Sequence, residues 1–141
     1  THVCFSLSNQ TFQACRGDKL DPGLRVRMGM DVPDSHTVYY KIPTWADFLI
    51  TYSTVPGYYS WRNTTQGSWF IQSLIHVLSQ EGTSGSLIEL LTKVSYRVAY
   101  DYESNVPDDK LYDKQKQVPA INSMLTRKIR FKPKVVKQSI K

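Results

Sequence analysis

Two helix starts in close succession limit the architectures open to this chain more than any other feature. Ser68, after Gly67, can cap a helix running through WFIQSLIHVLSQ to Gly82, with Phe70, Leu74, Val77 and Leu78 on one apolar face. Ser86 and Glu89 then stand three apart ahead of LLTKVSYRVAYDY, a capping-box pattern that starts a second helix with Leu87, Leu90, Leu91, Val94 and Val98 inward. Such a pair needs a sheet face to cover. The apolar run ADFLITYS, 46–53, lies between Pro43 and Val55-Pro56-Gly57 and reads as a strand buried in a mixed sheet, with Phe48, Leu49 and Ile50 in the core. A last strand, AINSMLTRKIRF, places Ile121, Leu125, Ile129 and Phe131 on one side and Asn122, Met124, Thr126 and Lys128 on the other.

The remaining segments read as connections. Residues 24–43 mix Gly, Pro, Asp and Ser without a sustained apolar period and read as a linker, and 104–118 reads as a long surface loop. A disordered basic tail is expected from Lys132. With 141 residues, 40% of them apolar, one modest core is expected.

The formal charge of +6 is concentrated between Arg127 and Lys141, with little aromatic interleaving. That pattern reads as a solvated tail rather than a nucleic-acid surface. Two cysteines, Cys4 and Cys15, and three scattered histidines give neither a disulfide framework nor a metal set, so no cofactor is expected and a reducing compartment fits best. The opening THVCFSLSNQTF lacks the form of a signal peptide, and no run is long and apolar enough to span a membrane. The sequence reading is therefore a cytoplasmic protein without nucleic-acid or membrane partners. In that setting the sequons at Asn9 and Asn63 and the Arg16-Gly-Asp18 tripeptide are silent.

Gln13-Ala-Cys-Arg-Gly17 matches Q-A-C-[RQG]-G, the pattern around a caspase nucleophile. VPGYYSWRN and GSWFIQSL follow about fifty residues later, in the matching order. On these residues the stretch from Phe12 to about Phe131 resembles the end of the large subunit and the whole small subunit of a caspase, in wording close to insect effector caspases. The resemblance implies an α/β fold with a mainly parallel sheet flanked by helices, of which this chain supplies the C-terminal portion. It divides the chain into the end of the large subunit (1–23), an inter-subunit linker (24–43), the small subunit (44–131) and the tail (132–141).

The resemblance also implies amide hydrolysis after aspartate in peptide or protein substrates, in programmed cell death. Cys15 would be the nucleophile, since a thiolate is nucleophilic near neutral pH once a neighbouring imidazole lowers its pKa. Arg62 and Gln13 would line the pocket for the substrate aspartate, because a planar guanidinium meets a carboxylate bidentately where an ammonium does not. Tyr59, Trp61 and Trp69 would wall neighbouring subsites, Asn63 would add polar contacts, and Ser60 would offer backbone groups to an extended peptide. Asp31-Val-Pro-Asp34 has the D-x-x-D form that effector caspases cut, with cleavage after Asp34. A homodimer edge on the last strand and inhibitor-of-apoptosis proteins are the implied partners.

The expected catalytic histidine lies about 50 residues before the cysteine, whereas only fourteen residues precede Cys15. His2, His36 and His76 do not have the motif context of a base. The sequence as written is therefore read as an incomplete catalytic unit. Two other readings are a non-catalytic partner that dimerises with and modulates an active relative, and a basic nucleic-acid-binding module.

Overall fold

The computed structural model describes residues 18–27 and 39–133. The chain divides into two compact units, Thr1–Trp45 and Ala46–Lys141.

In the first unit, strand β1 (Leu24–Arg27) pairs antiparallel with β2 (Tyr39–Ile42), Leu24 opposite Ile42 and Arg27 opposite Tyr39. Both ends of the 24–43 stretch, expected to lack regular structure, are thus strands. The ladder is closed at its base by Asp21, whose carboxylate accepts from the amides of Gly23 (2.8 Å) and Thr44 (2.9 Å) and from the Thr44 hydroxyl (2.6 Å). The Thr44 hydroxyl, followed by the Gly23 amide, holds the Asp21 carboxyl below its ordinary range. Gly23 has φ +67, and a Cβ there would meet the Ile42 carbonyl oxygen at 2.8 Å, so a side chain is excluded twice over.

In the second unit β3 (Leu49–Tyr52) pairs antiparallel with β6 (Ala120–Ser123), and a two-residue ladder joins β4 (Arg62–Asn63) to β5 (Gly67–Ser68). All three ladders among the described residues are antiparallel, where the resemblance implies a mainly parallel sheet. Helix α1 (Trp69–Glu81) starts at Ser68, whose hydroxyl accepts from the Ile71 amide. Helix α2 (Leu87–Asp101) starts on the expected capping box, with Glu89 Oε2 accepting from the Ser86 amide at 2.6 Å. That bond, reinforced by the Ser86 hydroxyl, lowers the Glu89 pKa.

The buried cluster is Phe70, Val77, Leu90, Val94 and Val98, with Leu74 and Leu78 packed against it. These are the apolar faces expected of the two helices, but they bury against each other. The seven buried hydrophobic core residues among those described belong to α1 and α2, and Pro119, just before β6, is buried as well. Phe48 is 49% exposed, and Leu49 and Ile50 are only half-buried, so the expected strand core is absent. The reason lies in what faces them: the buried cluster of α1 and α2 closes on itself and takes in no residue of β3.

The last strand is also shorter than its alternation suggests. After Ser123 the ladder continues for one residue, with Asp47 N–H donating to the Met124 carbonyl and Met124 N–H to the Phe48 carbonyl, both at 2.9 Å. A bend at Thr126–Arg127 then redirects the chain, leaving Ile129 and Phe131 exposed. Asp47, at φ 64, fixes that bend through its carboxylate, which binds the Thr126 amide, the Thr126 hydroxyl and Arg127 Nη2. No helix among the described residues is long and apolar enough to cross a membrane.

Candidate functional site

The residues singled out between 59 and 69 are brought to one place by a short hairpin. Asn63 Oδ1 accepts from the Thr65 amide, the Thr65 hydroxyl and the Gln66 amide, turning the chain back so that β5 can lie beside β4. Gly67 at φ 90 completes the turn. With its carbonyl committed to this turn, Asn63 keeps only its amide nitrogen for a ligand.

Trp61 is anchored on both backbone groups. Its carbonyl accepts from the Trp69 amide at 3.2 Å, and its amide donates to Gln117 Oε1 at 2.7 Å. In an antiparallel ladder, hydrogen-bonded and non-hydrogen-bonded pairs alternate. The Trp69-to-Trp61 bond makes Arg62 and Ser68 a non-hydrogen-bonded pair, so the backbone N–H and C=O of Arg62 point away from β5. Arg62 is exposed, and its guanidinium makes no hydrogen bond or ion pair with a described residue. Ser60, two positions earlier, is also exposed.

The aromatic side chains form a continuous stack. Trp61 lies on Trp69 with centroids 5.9 Å apart, and Trp69 lies on Tyr102 at 5.4 Å. Tyr112 meets both Trp61 (6.3 Å) and Tyr59 (6.1 Å) edge-on. A hydrogen bond with Tyr59 raises the Tyr112 pKa above its ordinary value. Tyr58, Tyr59 and Trp61 on one side and Leu111, Tyr112, Gln115 and Lys116 on the other enclose about 230 Å³. Trp69 is buried and does not line this space; it supports Trp61 from behind. Arg62, Ser60 and Asn63 also lie outside the cavity lining.

Residues Leu111 to Lys116 reach this place because the 104–118 segment is folded on itself, not draped over the surface. Buried Ser104 exchanges backbone bonds with Lys114 and Gln115, and its hydroxyl donates to the Tyr112 carbonyl (2.6 Å) and accepts from the Gln115 amide (2.7 Å). The resemblance implies that the loop from Asn105 to Lys116 rims a substrate subsite, but the sequence singles out neither Tyr112, Tyr102 nor Gln117. The aromatic residues at 102 and 112 inside a polar stretch were a usable signal, whereas Gln117 had none. His76 is exposed on α1. Gln13, Cys15, Asp31 and Asp34, with His2 and His36, lie outside the described residues.

The chain has counterparts among known proteins. Residues 9–130 match the Caspase domain family model, and the chain belongs to the caspase family of cysteine peptidases. It is 52% identical over 120 residues to Caspase-1 of Drosophila melanogaster, covering 84% of this chain and 37% of that protein. It is 46% identical over 125 residues to Caspase-7 of Gallus gallus, covering 84% of this chain and 39% of the relative. The crystal structure of Caspase-1 from Spodoptera frugiperda superposes with a TM-score of 0.65 at 50% identity, over 89% of this chain and 45% of that one. The α/β caspase fold is thereby shown. The chain spans less than half the length of these relatives.

Proposed function

We propose that this chain forms the nucleophile-bearing and specificity-bearing part of an aspartate-specific cysteine endopeptidase that acts in programmed cell death. The observation that carries the reading is Arg62: an exposed guanidinium without a protein partner among the described residues, on an edge whose backbone groups face outward, next to an aromatic cleft. A cation unpaired among the described residues is available to a carboxylate. An outward strand edge is available to an extended peptide.

In this reading a peptide pairs with the edge at Ser60 and Arg62 and places its aspartate on the Arg62 guanidinium, with Gln13 lining the same pocket. The residues before the aspartate lie along Tyr59, Trp61 and Tyr112. The Cys15 thiolate attacks the backbone carbonyl carbon of the aspartate, the amine leaves with the proton that the thiol gave up to a neighbouring imidazole, and water hydrolyses the resulting thioester to the carboxylic acid and the free thiol. Cleavage after Asp34 separates the two segments of the chain, and β6, paired only with β3 among the described strands, leaves an edge at the segment of Ala120 and Asn122 that supports pairing with a second copy. A soluble cytoplasmic zymogen, open to regulation by inhibitor-of-apoptosis proteins, follows from the same reading.

The test is titration of the full-length protein with an aspartyl fluoromethylketone peptide, read by intact mass and peptide mapping. Stoichiometric alkylation of Cys15, suppressed by an excess of aspartyl aldehyde and absent with the asparaginyl analogue, is the expected result. Equal labelling by both analogues would exclude an aspartate pocket.

A further inference from the structure

We infer that Gln117 is a positioning residue for peptide binding: its buried amide fixes the backbone that presents Trp61 and Arg62, without itself touching substrate. The inference rests on the aspartate-pocket reading of Arg62 and extends it to a residue outside that pocket.

Gln117 is 4% exposed, an unusual place for a glutamine. Both ends of its amide are satisfied, and both by backbone. Oε1 accepts from the Trp61 amide at 2.7 Å, 56 positions away, and Nε2 donates to the Ser53 carbonyl at 2.5 Å, 64 positions away. Ser53 directly follows β3, and Gln117 itself lies three residues before β6. One side chain therefore ties the β3–β6 ladder to the segment that enters β4.

The geometry makes this link specific. The Trp61 carbonyl is held by the Trp69 amide and its N–H by Gln117, so the hairpin fixes one of the two groups and Gln117 the other. With both groups of Trp61 turned inward, alternation along an extended chain turns those of Arg62 outward. Losing Gln117 leaves the Trp61 amide free to rotate, and the orientation of its neighbour is then held from one side only. An apolar residue of similar length would fill the space but restore neither bond, and asparagine is one methylene too short to span both partners. The role is therefore carried by glutamine's reach and by its having both a donor and an acceptor.

The experiment compares the full-length protein with Gln117→Met, Gln117→Asn and, as a control on the pocket, Arg62→Ala. Each is assayed with the aspartyl fluoromethylketone peptide for KI and kinact separately, and with iodoacetamide for the intrinsic reactivity of Cys15. For both Gln117 variants KI rises about tenfold, the scale of the net contribution of one hydrogen bond. Their kinact and iodoacetamide rates stay near wild type. A parallel fall in every rate, tracking a lowered melting temperature, would make Gln117 merely structural and overturn the inference. So would wild-type KI in either variant. Should neither variant fold, hydrogen exchange of the Trp61 amide in the unmodified protein decides: slow exchange supports the Gln117 bond, and exchange at the rate of an open loop refutes it. If instead the unmodified protein does not discriminate aspartyl from asparaginyl probes, or Arg62→Ala labels like wild type, the pocket reading itself has failed, whatever Gln117 does.

Discussion

Asp47 and Thr126 are joined twice across 79 positions, the Oδ1 of the first accepting from both the amide (3.0 Å) and the hydroxyl (2.7 Å) of the second. With Arg127 Nη2 on the other carboxylate oxygen at 2.8 Å, these bonds hold the Asp47 pKa down to about 2, the Thr126 amide contributing most. A carboxyl depressed in the folded state adds stability that is fully present above its unfolded pKa, about 3.9, and that disappears as pH falls towards the folded value. The melting temperature should therefore drop more steeply for the wild type than for Asp47→Asn as the pH is lowered from about 4 to 2, and the gap between them should be constant above about pH 5. Asparagine tolerates the positive φ at this position, so the substitution isolates the charge. Parallel pH curves for the two proteins would contradict the assignment.

Arg62→Lys should keep the fold and lose recognition. The side chain is exposed and makes no bond to described residues, so the melting temperature should change little. Lysine keeps the charge without the fork, and labelling of Cys15 by an aspartyl peptide should slow by about 10- to 100-fold, less than truncating the charge pair would cost because the charge remains. Rates measured by intact mass on both proteins provide the check.

Tyr112→Ala should alter preference upstream of the aspartate without altering the requirement for it. The ring contacts Trp61 and Tyr59 edge-on, and such pairs are worth about 0.5–1.5 kcal/mol each. Removing it opens the wall of the 230 Å³ cleft while leaving Arg62 untouched. Profiling with peptide mixtures randomised at each upstream position should show flattened selectivity there. Tyr112→Phe keeps the rings and should show wild-type profiles, with the loss of the raised phenol titration that the Tyr59 hydrogen bond causes.

Ser86→Ala removes the hydroxyl half of the capping box and should cost about 1 kcal/mol in denaturant unfolding. Leu90→Ala, in the buried interhelical cluster, should cost about 2–5 kcal/mol. The ordering of the two is the informative quantity, because it separates a helix end that is merely well closed from the contacts that hold the unit together.

Both helices and their starts could be read from the residues because capping and amphipathic spacing are local signals, carried by Ser68, Ser86 and Glu89 and by the faces from Phe70 to Val98. The motif around Arg62 was legible for a different reason, as a run of residue types in fixed order. The strands misled, since alternation from Ile121 to Phe131 says nothing of the bend that Asp47 imposes from the far end of the unit. Phe48 and Ile50 are apolar enough for a core, but burial depends on what lies across from them. Gln117 could not be found at all: its two partners are 56 and 64 positions away, and one polar residue in a polar stretch gives no sign that both ends of its amide are buried.

The two helices that bury all seven core residues are separated by only 82–86, so their contacts close short loops and lose little chain entropy. Ligand-binding geometry, in contrast, waits on a long-range closure between 61 and 117. The helical hairpin should accordingly be ordered in the folding transition state, with Leu90→Ala slowing folding and Gln117→Met mainly hastening unfolding. Kinetic measurements of both variants would then show recognition assembled last, on a platform already built, and lost first when the molecule loosens.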